Sequence, residues 1–333
     1  MGDVILTTPL VRALRAAYPD AVLYYATRRA FAPLLESNPH VDRVHTLPDD
    51  AEGGLRALAR ELRAERFDHV LDLHGTLRAR LLRLLMPGPR WSSYDKRSIE
   101  RRALVLLRRN PSGHVVPVAE RYFDAARHLG VRPDGGPPEV VPTPEAESEA
   151  EAALRAAGVA EGEAFVAVAP GARHATKQWP VESWTALAGD LVRRGIRPVV
   201  VGGPEDAEAG SRIVAEVSAA ANVAGATGLL GSAAVLARAR ALASGDTGVM
   251  HLATAVGTPV ISLFGPTVRA FGFFPYSDRA TVLERDLPCR PCSTHGGPQC
   301  PLGHHACLRG IPVDEVTLEL QRIVDSVERI AKN

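Results

Sequence analysis

The chain predicts an α/β protein built from two doubly wound domains that face each other across a cleft. Three observations predict it. Short apolar strand candidates alternate with helix-length amphipathic segments, the pattern of parallel βα units joined by right-handed crossovers. Residues 131–144, "VRPDGGPPEVVPTP", interrupt the alternation with a Pro- and Gly-rich, aperiodic stretch of the kind that links domains. With 333 residues, 46% of them apolar, the chain is long enough for two cores.

In chain order, "MGDVILTTPLVRALRAAYPDA" comes first. Thr8 and Pro9 are good helix openers, Leu10, Val11 and Leu14 form an apolar stripe, and Pro19 stops the helix. In a strand-loop-helix unit, Gly2 and Asp3 would occupy the loop at the carboxyl end of a strand, where open α/β sheets place their chemistry. No strand candidate precedes them, so Met1 is expected to be internal to the natural reading frame, with a strand of the first sheet lying before it. Next come a strand in "AVLYYA", a helix from about 29, a strand in "VDRVHTL", a helix over 53–65, a strand in "HVLDLHG" and a helix over 76–86. These fill a first domain, residues 1–135. The second, residues 145–311, opens with a helix over about 145–158 and continues with buried strands in "AFVAVAP", "IRPVVVGG", "ANVAG", "ARALAS" and "TPVISLFG". A last helix near 312–331, within the segment 312–333, is expected to pack back on the first domain.

Composition narrows the function classes. No apolar run reaches the roughly eighteen residues of a spanning helix, and no signal-type segment opens the chain, so a cytoplasmic protein is the default expectation. Net charge is +1, but residues 1–130 carry 20 Arg and 1 Lys against 15 Asp and Glu, a balance of +6 that leaves −5 for the remainder. The cluster Arg97, Arg101, Arg102, Arg108 and Arg109 suits an anionic partner, or is a solvated helix face. Modest charge and only 5% aromatic residues speak against nucleic acid. Lysine occurs three times, at 96, 177 and 332, which singles out Lys177 in a chain that otherwise uses Arg.

Three strand-to-helix junctions carry polar residues. In "VAVAPGARHATKQWPVESW", a Pro-Gly turn lets backbone approach a ligand and Lys177 can neutralise phosphate charge; a solvated lysine on an ordinary βα loop would look the same. In "VVVGGPEDAEAG", Glu205 or Asp206 can accept from ribose hydroxyls or simply complement a helix dipole. In "ASGDTGVMHLATAVGTPVISLFGPT", Thr247 and Gly248 open an apolar helix whose free amides suit a diphosphate, with Asp246 at the strand end and His251 one turn inside. A capping aspartate and a core histidine are the structural alternative there.

With these residues in place, "GDVILTTPLVRAL", "APGARHATKQWP", "GDTGVMHLATAVGTPVISLFGPT" and "CRPCSTHGGPQCPLGHHAC" together resemble glycosyltransferase family 9, and the cysteine-bearing ending resembles its lipopolysaccharide heptosyltransferase II branch. The resemblance implies a GT-B fold, an ADP-heptose donor, and inverting transfer to the inner core of lipopolysaccharide; the basic first domain fits an anionic glycolipid acceptor met by peripheral association with the inner membrane surface. It implies Asp3 as general base, Lys177 as the group that stabilises departing ADP with no cofactor required, Asp246 facing donor sugar hydroxyls with His251 nearby, and Thr247 and Gly248 holding the diphosphate. Glu205 falls near the family's ribose-contacting acid, and Arg78 in "DLHGTLRAR" is a candidate contact to an acceptor phosphate. Another nucleotide sugar, or an inactive nucleotide-sugar-binding relative, remains an alternative, and an epimerase or hydrolase would use the same cleft.

All four cysteines, Cys289, Cys292, Cys300 and Cys307, fall in one segment. Four thiolates so close can hold structural Zn or an iron-sulfur cluster; reduced thiols packed in a Gly- and Pro-rich loop are the competing reading.

Overall fold

The computed structural model describes residues 1–47, 51–108 and 115–331. Its first half comprises α1 (Gly2–Leu6), α2 (Thr8–Ala17), β1 (Tyr24–Arg28), α3 (Pro33–Glu36), β2 (Arg43–Leu47), α4 (Ala51–Ala64), β3 (His69–Asp72), α5 (Leu77–Leu85), β4 (Arg90–Ser93), α6 (Ser98–Leu107) and α7 (Val118–Arg121), followed by a 3₁₀ helix, Tyr122–Leu129. The strands form two parallel pairs, β1 with β2 and β3 with β4. Arg109, part of the expected basic cluster, lies outside the described residues.

Two expectations change here. Gly2 and Asp3 are helical, with Val4 and Ile5 donating to the Met1 carbonyl at 3.0 and 3.2 Å, so Asp3 sits in the first turn of α1 and not in a strand-end loop. An acidic side chain is favoured there by the helix dipole. The helix expected from about 29 shrinks to a 3₁₀ turn, Arg29–Phe31, and the four residues of α3, because Pro33 has no N–H to bond back to residue 29.

Residues 131–143 have no regular secondary structure, yet they are strapped down. Arg12 of α2 pairs with Asp134 at 2.7 Å and Glu139 at 2.9 Å, the Glu139 amide donates to Thr8 Oγ1 at 2.8 Å, and the Val140 amide donates to the Ala255 carbonyl at 3.1 Å. The connecting chain therefore touches both halves.

The second half runs α8 (Pro144–Ala156), β5 (Phe165–Ala169), α9 (Val181–Arg193), β6 (Arg197–Val200), α10 (Ala207–Glu216), β7 (Ala221–Asn222), α11 (Leu229–Arg238), β8 (Leu242–Gly245), α12 (Gly248–Ala255), β9 (Val260–Phe264), β10 (Ala280–Glu284), α13 (Ala306–Arg309) and α14 (Val313–Ala331). The strands make one parallel six-stranded sheet in the order β10-β9-β8-β5-β6-β7. Both faces are covered, so β5 and β9 are buried at every residue and read as continuous apolar runs. The partly buried edge strand β10 was not among the expected strands.

The halves share a core. Ile5 of α1 and Leu34 and Leu35 of α3 are buried in one cluster with Val235 of α11 and Met250, Leu252 and Ala253 of α12. By contrast, α14 does not return to the first half over its described side chains. Val316, Leu320 and Val324 join Trp184, Leu187 and Leu191 of α9, and Thr317 Oγ1 donates to Asp190 at 3.4 Å. The apolar stripe of α14 finds its match on α9, where burial of each such side chain is worth about 1.5–3 kcal/mol.

Candidate active site

Strands β5, β6 and β8 lie side by side, so the loops at their carboxyl ends converge. After β8, Asp246 is 8% exposed and faces the turn Ala175–Lys177 that follows β5. Lys177 Nζ pairs with Asp246 Oδ2 at 2.6 Å and also donates to the Asp246 carbonyl at 3.3 Å. Thr267, in the loop after β9, donates its hydroxyl to the same Oδ2 at 2.6 Å. Two of the residues singled out from sequence are thus one buried ion pair, and Thr267 is a third member that motif reading passed over.

Thr247 is the N-cap of α12 in extended conformation, and its side chain makes no capping hydrogen bond to the helix. Its hydroxyl instead shares a hydrogen bond with Ser244 at 3.1 Å, so it does not satisfy the first-turn amides of α12, groups that at a helix N-terminus suit an anion. His251 is buried; desolvation pushes its imidazole down to about 4, while Asp246 and then Asp3 pull it back up, so the ring is neutral at pH 7. Its Nδ1 has no hydrogen-bond partner among the described residues.

Helix α1 packs on α12, which brings Asp3 to this site. A Cβ on Gly2 would come within 2.8 Å of His251 Cδ2, so only glycine admits the contact, and Met1 lies against Gly248. Asp3 itself is exposed. Its charge is felt across the first half's strand ends as well: burial pushes the His74 imidazole and the Lys96 ammonium down, and Asp3 pulls both up. These two residues follow β3 and β4. Asp72 shapes the first loop by accepting from the His74 and Gly75 amides at 2.9 and 2.7 Å. Lys96 crosses Gly75 with its Cε 3.1 Å from where a Cβ would stand. Arg78 is half-buried in the first turn of α5, at the end of the same loop.

Of the adjacent acids after β6, Glu205 is exposed, while Asp206 turns inward. Asp206 Oδ2 accepts from the Gly203 amide at 2.9 Å, and its carboxylate fills the space where side chains on Gly171 and Gly202 would be. Burial raises its pKa. Asp206 therefore holds the turn after β6 and packs against Gly171 just after β5, and Glu205 is the one left facing solvent.

A cavity of about 310 Å³ in the first half is lined by Arg97, Arg121, Arg127 and Arg132 together with Glu120 and Asp124. Arg121 is only 5% exposed and its Nε is without a partner among the described residues. Burial, then Arg97 and Arg101, push its pKa down. This concentration of guanidinium groups matches the basic balance read from the first 130 residues.

The four cysteines are free. Among the described residues, no three His, Cys, Asp or Glu side chains come together as a metal-binding group, and the Zn or iron-sulfur reading gains no support from this arrangement. No helix among the described residues is long and apolar enough to cross a membrane.

Solved structures share this architecture over nearly the whole chain. A glycosyl transferase family 9 protein from Veillonella parvula DSM 2008 has a TM-score of 0.82 at 23% identity, covering 98% of this chain and 95% of that one. The E. coli ADP-heptose lps heptosyltransferase II has a TM-score of 0.74 at 24% identity, covering 98% and 96%. Sheet order, paired halves and converging strand ends give the chain a fold of the GT-B type. Residues 55–302 match the family described as Glycosyltransferase family 9 (heptosyltransferase), and the chain belongs to that family. In sequence it is 28% identical over 309 residues to lipopolysaccharide heptosyltransferase 2 of Salmonella typhimurium, covering 85% of each protein.

Proposed function

We propose that this enzyme moves heptose from ADP-heptose, with inversion, onto a hydroxyl of the lipopolysaccharide inner core, residues 1–135 presenting the acceptor and 145–311 the donor. The observation that carries the reading is the buried Lys177–Asp246 pair at 2.6 Å beside the uncapped first turn of α12, with Asp3 on a helix packed against that same turn. Asp3 removes the proton of the acceptor hydroxyl as its oxygen attacks the anomeric carbon. The bond from that carbon to the diphosphate oxygen breaks, its electron pair stays on ADP, and the sugar inverts. Lys177 and the amides at Thr247 and Gly248 meet the growing phosphate charge, so positive potential is supplied by groups already in place. Asp246 and His251 face the donor sugar, and Glu205 the ribose. The relatives' names, lipopolysaccharide heptosyltransferase 2 in Salmonella typhimurium and in E. coli, support the choice of sugar and acceptor.

Transfer assays with ADP-, UDP- and GDP-linked sugars test this directly. Turnover is expected with ADP-heptose alone; turnover only with a UDP or GDP sugar would reject the donor, and binding of ADP-heptose with no transfer would favour a nucleotide-sugar-binding relative. The acceptor half makes a separate prediction. Arginines around the cavity, and Arg78 and Lys96 at the strand ends, would receive an anionic glycolipid at a membrane surface. Raising salt from about 0.05 to 0.5 M shortens the screening length several-fold, so the acceptor KM is expected to rise and cosedimentation with anionic vesicles to fall, while the donor KM moves little. Salt-independent acceptor binding would count against this assignment.

A further inference from the structure

We infer that the cysteine-bearing segment is a brace that sets the position of Lys177, acting through Thr176 and His305. The inference rests on the reading of Lys177 as the donor-phosphate contact. Lys177 closes a three-residue 3₁₀ turn, Ala175–Lys177, held locally by two bonds, Lys177 N to the His174 carbonyl at 2.8 Å and Gln178 N to the Ala175 carbonyl at 3.1 Å. A turn this short does not define its own orientation, so contacts from elsewhere must.

Those contacts come from more than a hundred residues away. Thr176 is 4% exposed, and its amide, hydroxyl and carbonyl are all engaged by the segment. The Thr176 amide donates to the Gly297 carbonyl at 3.2 Å, its hydroxyl donates to that carbonyl at 3.1 Å, and the Gly297 amide donates back to the hydroxyl at 2.8 Å. His305 Nε2 donates to the Thr176 carbonyl at 2.8 Å. Close approach requires glycine at 296, which has φ of +95° and where a Cβ would stand 2.9 Å from His174 Cβ. On the opposite side, the Lys177 carbonyl lies 3.0 Å from where a Cβ on Gly245 would be. The turn is therefore clamped between the end of β8 and residues 296–305.

The segment can serve as a brace because both its ends are anchored. Arg290, 8% exposed, donates to the Thr267 carbonyl and to the Glu284 carboxylate, each at 2.7 Å, and to the Phe264 carbonyl at 3.2 Å. The Cys292 amide donates to the Pro266 carbonyl at 3.2 Å. At the far end Cys307 and Leu308 of α13 are buried in the core with Trp184 and Leu263. Supporting contacts of this kind hold a functional side chain to the fraction of an ångström that its chemistry needs.

A double-mutant cycle tests it, read by calorimetric titration with ADP and by donor KM and kcat. Thr176→Val keeps the shape and removes the hydroxyl. It is expected to weaken ADP binding about 10-fold and to lower kcat, with Thr176→Ser within about 2-fold of the parent. In a Lys177→Ala background, Thr176→Val is expected to add nothing, because the group it positions is gone. His305→Ala is expected to show the same pattern at about 3-fold, and decides the question if Thr176→Val does not fold. ADP affinity and kcat unchanged by both substitutions, while Lys177→Ala weakens binding, would overturn the brace. So would equal losses with and without Lys177, which would mark a local structural role. Unchanged ADP affinity in Lys177→Ala alone would instead overturn the donor-site reading, and the inference with it.

Discussion

Asp3→Asn is expected to lower kcat by about 10²–10⁴-fold while leaving ADP-heptose affinity within a few-fold of the parent. Asparagine has the size of aspartate and keeps a polar group in the first turn of α1, but it cannot accept the acceptor's proton. Because Asp3 is exposed in the first turn of α1, the substitution should not unfold the protein. The packing of α1 on α12 through Gly2 and His251 is untouched by it, so the donor site should survive. Steady-state kinetics alongside donor titration checks both halves of the prediction. A variant that retained kcat would require another base, and His74, within the field of Asp3, would be the first to examine.

Lys177→Ala is expected to reduce kcat/KM by about 10²–10³-fold, the size seen when one preorganised donor to a developing negative charge is removed. Here stability has to be separated from chemistry. The Asp246 carboxylate is 8% exposed, and losing the ammonium 2.6 Å away strands a buried charge, which costs about 3–5 kcal/mol. Adding Asp246→Asn removes that charge, and Thr267 can still hydrogen bond to the amide oxygen. Denaturant unfolding is therefore expected to show Lys177→Ala destabilised and Lys177→Ala/Asp246→Asn largely recovered, whereas turnover recovers in neither. Recovery of activity with stability would mean that the lysine only neutralises Asp246 and has no part in leaving-group departure.

Much of the second half was legible because its physics is local. The runs that became β5, β6, β8 and β9 are continuous and apolar, as a sheet covered on both faces demands, and each is followed by a helix-length segment. The loop residues Lys177, Asp246, Thr247 and Gly248 stand at strand ends for the same reason. Less was legible in the first half. Pro33 cut short a helix that composition alone suggested, and Gly2 and Asp3 read as a loop because the packing of α1 on α12 is invisible locally. That Asp206 and not Glu205 turns inward, and that Thr267 at the end of its quoted motif bonds to Asp246, was not legible, since a loop residue carries no sign of its partner until the fold is known.

The sequence alone determined the class of fold, the order of the elements of the second half as far as β9 and the motifs of family 9, because periodic hydrophobicity and turn chemistry are properties of neighbouring residues. Only the tertiary structure decided which distant groups meet. It joined Lys177 to Asp246, set residues 296–305 against Thr176, laid α14 on α9 and packed α1, which carries Asp3, against the head of α12. Each of these depends on the shapes of two surfaces far apart in the chain. Complementarity between surfaces is settled by packing and polar satisfaction in three dimensions, and it leaves no periodic trace in either segment.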